Sequence, residues 1–396
     1  MASDGGLFVG KRGAMWRGYA LIAPLLLFLM ATFLVPAGLI VWRSVADPEM
    51  QAALPATSAA LASWDGRGLP GEEAETALAA DLKAADRAAL ASLSRRLSYE
   101  DAGFRALLQS TKRALDGGKT LPLASINPKW GDNGSWQIMK RAVGPAGSYH
   151  LLSAFDLKHD YVEGVVPSRD GGLYRSIIVR TFVIALVTSV ITLLIAFPLC
   201  AFLLRQTPRV HNILLLMVLL PFWTSILVRT TSWLALLQDR GVINTLLMDL
   251  GLIDTPFQLL YNRFGVIVAL VHVMLPFMIF PLLSNMRSID ARLYRAALSL
   301  GATPVHAFFR VYLPQAMPGM MAGTLMVFVV TLGFYITPML VGGPADQMIS
   351  YYIALFTTGT LNWGLASSLG LILLTATMSL YALQNFLASG SNGQRR

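Results

Sequence analysis

Six apolar stretches punctuate the chain, each long enough for a helix of about 20 residues to cross a hydrocarbon layer roughly 30 Å thick. They cover residues 19–41, 177–204, 213–236, 265–286, 320–340 and 366–387. The first follows Lys11, Arg12 and Arg17 and so begins like a secretory leader. Its apolar run is too long for one and no small-residue cleavage site follows, which predicts a retained anchor. Pro198, Pro221, Pro276, Pro281 and Pro338 fall within or at the ends of these stretches. Neighbouring helices or water must satisfy the carbonyls that proline leaves free, so kinked and mutually packed helices are expected.

Composition agrees with the pattern. Of 396 residues, 55% are apolar and 13% charged, against about 45–50% and about 25% in soluble domains, which excludes a soluble enzyme. Cys200 is the only cysteine, so neither an intrachain disulfide nor a thiolate metal cluster is available. The net charge of +9 matters through its distribution. Lys11, Arg12, Arg17, Arg205, Arg209, Arg287, Arg292, Arg295, Arg310, Arg395 and Arg396 fall on one side of the predicted spans. The short loops of the other side hold only Arg240 and Arg263. Basic residues stay cytoplasmic, so both termini are assigned to the cytoplasm. A charge spread over the edges of six helices also excludes nucleic-acid binding, which needs one accessible patch.

The predicted organisation is a cytoplasmic N-terminus (1–18), a first transmembrane helix (19–43), an external insertion (44–173), a core carrying helices two to six (174–388) and a cytoplasmic tail (389–396). The insertion is too long for an ordinary connection and is expected to form a small, mostly helical domain. Its 14 Lys and Arg face 16 Asp and Glu, so the positive charge resides elsewhere. Residues 72–97 are rich in Ala, Leu and paired charges and predict one helix. Ser98 and Asp101 suggest a capping box for a second helix ending at Asp116, Gly117 and Gly118. Trp130 and Trp136 read as a packing nucleus ahead of a docking surface for an external partner. His150 and His159 are too far apart for a helical metal pair, and no metal site is expected.

Between spans four and five runs a cytoplasmic loop, residues 288–319. Tyr294–Leu300 predicts a short helix exposing Ala296, Ala297 and Ser299, ended by Gly301; Pro304 starts a second helical turn and Pro314 closes it. Small side chains there let another protein approach the backbone closely, although an ordinary helical hairpin has the same look. Ala296, Ala297, three residues, Gly301, Ala302, then Phe308 or Phe309 and Leu313-Pro314 resemble the Glu-Ala-Ala loop of ABC importer permeases, with Arg295 where the usual Glu stands. Residues 219–233, 251–256, 270–283 and 334–350 further resemble the spermidine/putrescine permease branch.

That resemblance implies an all-α integral membrane protein of type I importer architecture, with six transmembrane helices and a periplasmic insertion between helices one and two. It also implies the bacterial inner membrane, two ATPase subunits, a second permease subunit homologous to this one, and a periplasmic solute-binding protein. Motor and cofactor lie elsewhere: the chain lacks a G-x-x-x-x-G-K-[ST] phosphate loop. ATP and Mg2+ therefore belong to the partner ATPases, and no catalytic residue is assigned here.

Candidate pathway residues follow from the helix breaks and the one intramembrane charge. Arg229 is predicted well inside the third span. Phe222, Trp223, Thr224, Phe334, Tyr335 and Thr337 flank Pro221 and Pro338, and aromatic faces of this kind can hold an ammonium. Helix packing is the plainer role for each. Gly319 and Gly323 are spaced for a close approach of two helices or two subunits. No Asp or Glu falls inside a predicted span, which counts against a proton-coupled carrier. The expected function is a permease subunit for a small solute, with polyamine favoured by the resemblance. Alternatives are another amino-type solute such as an amino acid derivative or opine, a secondary transporter acting without an ATPase, and a membrane-anchored sensor.

Overall fold

The computed structural model describes residues 6–161, 163–168 and 171–393, with side chains for Tyr19 and for residues 21–386 within those limits. Arg395 and Arg396, and the side chains of Lys11, Arg12 and Arg17, lie outside the described residues. The chain divides into two compact units. One contains the residues up to 168 together with Asn362–Leu371, and the other the remainder.

The first unit begins with a 40-residue helix, Gly6–Val45. The apolar stretch of its Leu21–Val45 segment has no buried residue in this chain, as expected of a membrane helix, and burial begins at its end with Ser44. The insertion follows as short helices, chiefly Pro55–Ser63, Glu72–Ala84, Arg87–Ser98, Phe104–Asp116, Asn133–Arg141 and Tyr149–Ala154. An antiparallel hairpin pairs Leu157–Asp160 with Gly164–Pro167. Where one helix is predicted over residues 72–97, the chain forms two. Asp86 accepts from Ala88 N and Ala89 N at 2.9 and 3.1 Å, and by satisfying these orphan donors it starts a new helix. Ser98 is not a cap either. It ends the Arg87–Ser98 helix and donates to Ser94 O at 2.6 Å, while Asp101 accepts from Gly103 N at 2.8 Å ahead of Phe104. The predicted stop after Asp116 is present, with Gly118 at φ +89°.

Leu61, Leu78, Leu82, Leu93, Leu97, Phe104 and Leu108 pack around Trp130 and Trp136. The two indoles stand 5.1 Å apart. Trp130 Nε1 donates to Thr111 Oγ1 at 2.8 Å and Trp136 Nε1 donates to Trp130 O at 2.9 Å, so each buried N–H has its acceptor. The tryptophans are therefore a nucleus and are unavailable as a docking surface. Beside them Arg96, 3% exposed, binds Asp47 through Nε and Nη2 and donates to Glu100 at 3.0 Å. Glu100 in turn accepts from Arg141 at 2.7 Å, and the Arg96 guanidinium lies 3.6 Å from the Tyr149 ring centre. Next to this network the His150 ring occupies the space a Cβ at Gly364 would take. Burial, reinforced by Arg96, pushes His150 down to about 3.

In the second unit, Leu173–Leu203, Arg263–Ser288 and Pro304–Leu332 are continuous apolar spans; a further one, Trp363–Phe386, belongs to the first unit as far as Leu371 and to the second from Ile372. The third predicted span is broken. Pro208–Leu219 tightens into a 3-10 turn over Leu220–Trp223, and the next helices, Ile226–Leu237 and Val242–Asp249, set off at 100° to it. Pro221 removes a backbone donor at the tightening, and Thr224 is extended. The fifth predicted span, residues 320–340, is displaced. Its helix runs from Pro304 to Leu332, stops at Gly333, and resumes as the short Ile336–Val341 helix that contains Pro338. Pro314 does not close the preceding segment. A π turn over Phe308–Tyr312 already interrupts the regular bonding ladder there, so a residue without an N–H fits directly after it.

Span four forms the axis of this unit, packing against spans two and five through Ala196, Cys200, Met274, Met278, Ile279, Leu282, Ala316 and Val327. A Cβ at Gly319 would lie 2.5 Å from that of Asn285, and one at Gly323 would lie 2.6 Å from the Met278 sulfur. This glycine pair thus joins two helices of one chain. Thr181, Ser189 and Thr192 are buried and donate to carbonyls one turn back at 2.6–2.8 Å, which hides their polarity inside the helix.

Candidate functional site

The loop between spans four and five is built from local signals. Asp290 accepts from Arg292 N at 2.8 Å and starts the helix Ala291–Ser299, none of whose residues is buried. Leu300 N, Gly301 N and Ala302 N donate to Ala296, Leu298 and Ala297 carbonyls at 3.0 Å. Gly301 sits at φ +89° with open space around it, so a left-handed residue closes the helix. Thr303 then caps the next helix at His306 N, and Tyr294 OH donates to Pro304 O at 3.3 Å, folding the loop back on itself.

Arg295, Ala296, Ala297, Ser299, Gly301 and Ala302 thus occupy one helix and its exit. Arg295 is exposed and makes none of the ion pairs among the described residues. Phe308, Leu313 and Pro314 belong to the following span. Phe308 stacks on Tyr312 at 5.8 Å and meets Phe197 edge-on at 6.1 Å, anchoring the loop to the bundle. The motif alone leaves out the exposed apolar residues Leu293, Leu300 and Val305. Leu300 is 89% exposed. Apolar residues inside an otherwise charged loop are the signal by which they can be found.

The second group of predicted residues gathers around the two helix breaks. Phe222 packs edge-on to Phe277 at 5.6 Å, Trp223 is 83% exposed, and Thr224 Oγ1 donates to Pro221 O at 2.7 Å. Arg229 does not lie deep in a straight span. It stands in the first turn after the 100° bend, and its Nε is buried without a hydrogen-bond partner among the described residues. Thr337 Oγ1 lies 3.1 Å from Thr230 Oγ1, so the two broken segments are joined hydroxyl to hydroxyl. Phe334 packs into the core and Tyr335 is partly exposed. Sequence reasoning missed Thr230, and also Trp233 and His272, whose Nε1 and Nδ1 are 3.3 Å apart.

The segment leading into span four is fastened firmly to the one that follows the Ile336–Val341 helix. Tyr261 N donates to Val341 O at 2.8 Å, Arg263 pairs with buried Asp346 at 3.2 Å, and Gly343 lacks the Cβ that would strike Tyr261 O. No cluster of His, Cys, Asp or Glu suited to a metal ion is present among the described residues.

The family described as binding-protein-dependent transport system inner membrane component matches residues 171–391. The spermidine/putrescine transport system permease protein PotB of Haemophilus influenzae is 36% identical over 208 residues, covering 52% of this chain and 73% of that protein. PotB of Escherichia coli is 33% identical over 219 residues, covering 55% and 78%. Among solved structures, a bacterial alginate ABC transporter in complex with alginate pentasaccharide-bound periplasmic protein aligns at 19% identity and a TM-score of 0.46, over 55% of this chain and 79% of that one.

Proposed function

The chain belongs to the binding-protein-dependent transport system inner membrane components, and from that membership we propose that it lines the pathway of an ATP-driven importer for a polyamine. It is a multi-pass protein of the inner membrane and is not itself the enzyme of the system. In this reading a soluble protein delivers the solute outside, a second permease subunit completes the pathway, and two separate ATPases hold ATP and Mg2+. The insertion over residues 44–173 is then periplasmic, and both termini are cytoplasmic.

The observation that carries the proposal is the Ala291–Ser299 helix. It is held by its own caps, it has no buried residue, and it leaves Leu293 and Leu300 without apolar cover. Such a helix suits the groove of another protein. Arg292 and Arg295 within it and Arg287 and Arg310 on either side support a cytoplasmic position, where an ATPase would dock. The polyamine reading draws on the names of the PotB relatives and on the exposed faces of Trp223 and Tyr335, which suit an ammonium.

Arg229 favours a second reading, an amine that also carries a carboxylate, such as an amino acid derivative. Its Nε lacks an acceptor among the described residues, and no Asp or Glu falls inside the six spans predicted from the sequence.

The test is ATP hydrolysis by the complex purified through a tag on this chain, with and without binding protein loaded with spermidine or putrescine. Stimulation by the polyamine-loaded protein is expected. Stimulation only by a carboxylated amine would select the second reading, and a chain that brings down no ATPase would overturn the importer reading.

A further inference from the structure

The inner ends of spans two, three and four hold a polar arrangement that the coupling helix itself does not use. His211, in the first turn of Pro208–Leu219, is 7% exposed. Its Nδ1 lies 2.8 Å from Leu203 O, an end carbonyl of span two, and its Nε2 faces Arg287 Nη2. A carbonyl only accepts and a guanidinium only donates. The ring must therefore carry its proton on Nδ1 and present a lone pair at Nε2, a combination that neither an apolar side chain nor an ammonium can offer.

Arg287 stands in the last turn of span four, three residues before Asp290, the cap of the Ala291–Ser299 helix. The opposite flank of that helix end is held as well. The Asn285 carboxamide faces the Gln315 and Ala316 carbonyls; turned so that its nitrogen meets them it donates to both at 3.1 Å, and Gly319 leaves room for it. The root of the coupling helix is thus gripped from span five on one side and from the turn between spans two and three on the other.

We propose that His211 is a positioning residue, tying the turn between spans two and three to Arg287 so that movement of the coupling helix passes into those spans. The inference rests on the importer reading. Without the imidazole, span four keeps its packing against spans two and five through the apolar core. What it loses is the polar tie at its end, so motion of the coupling helix is taken up in the loop. The expected defect is one of coupling, with folding retained.

The experiment compares His211→Leu and His211→Gln in the purified complex, reading assembly, ATP hydrolysis and solute moved per ATP. His211→Leu should leave assembly and hydrolysis in place and lower solute moved per ATP about fivefold. His211→Gln restores a donor and an acceptor on one side chain and should recover most of the ratio. An unchanged ratio in His211→Leu would overturn the proposal, as would an equal loss in both variants. If His211→Leu fails to assemble, Arg287→Gln reads the same tie from its other end: a lowered ratio supports the proposal and an unchanged one refutes it. A wild-type complex without solute-stimulated hydrolysis would fail earlier, at the importer reading, and is distinguishable on that ground.

Discussion

In the insertion, the core is built of Trp130, Trp136, Phe104 and a set of leucines, and the buried polar side chains include Thr57, Thr111 and Asp156 beside the Asp47–Arg96–Glu100–Arg141 network. In the membrane unit Thr181, Thr188, Ser189 and Thr192 are fully buried on a helix whose Leu186, Leu194 and Phe202 face outward. Both regions are helical and both are well packed, so the difference lies in the solvent. Water rewards the burial of apolar area. Lipid gives no such reward, so close backbone approach at Gly319 and Gly323 takes its place.

Four substitutions or titrations probe that contrast. Trp136→Ala should cost the insertion about 4 kcal/mol, because it empties the centre of a water-driven core. Limited proteolysis should then cut within residues 44–168 while the membrane spans stay protected. An insertion as resistant as the wild type would mean that its stability does not come from this core. Asp47→Ala strands the buried Arg96 with Glu100 alone, and thermal unfolding of the full chain should show a loss of about 3 kcal/mol.

The third probe is pH. The folded state holds His150 near 3 against an ordinary 6.5, so between those values the unfolded chain binds more protons. The stability this represents is complete above pH 6.5 and drains away as pH falls, amounting to about 2 kcal/mol at pH 5. Asp47, pushed up to about 6 by burial despite Arg96, works in the opposite sense. Comparing wild type with His150→Asn removes it from the difference, and two parallel stability curves would rule out the burial of a neutral ring. The smallest effect belongs to the membrane unit. Thr181→Val deprives Ile349 N of its acceptor and should cost about 1 kcal/mol in detergent unfolding.

Legibility in the sequence followed how local each determinant is. In the loop between spans four and five, the helix end at Gly301 and the restart at Pro304 were readable because each acts within a few residues of itself, whereas the Asp290 cap, which starts the helix at Ala291 ahead of Tyr294, was missed. Spans one, two, four and six were readable because an apolar run of that length has few alternatives. The third span was misread because residues on both arms of the bend are equally apolar, leaving Pro221 as the lone warning. The same averaging hid the stop at Gly333. In the insertion, Asp86 was taken for one charge among many in an alanine-rich helix, when its carboxylate was the start signal of another. Contacts spanning long separations left no trace at all. Arg96 meets Asp47 across 49 residues, His211 meets Arg287 across 76, and Thr230 meets Thr337 across 107. Two π turns, Phe308–Tyr312 and Leu355–Gly359, were equally invisible, since nothing in their composition separates them from α-helix.

The bend after Trp223 also sets a dimension. Pro208–Trp223 rises about 24 Å at 1.5 Å per residue, several ångströms less than an average hydrocarbon layer. Standing upright, this arm alone would end short of the far edge of the layer, and a bilayer beside it would have to thin. An upright arm would thus make bilayer thickness felt at the break that carries Phe222, Trp223 and Thr224.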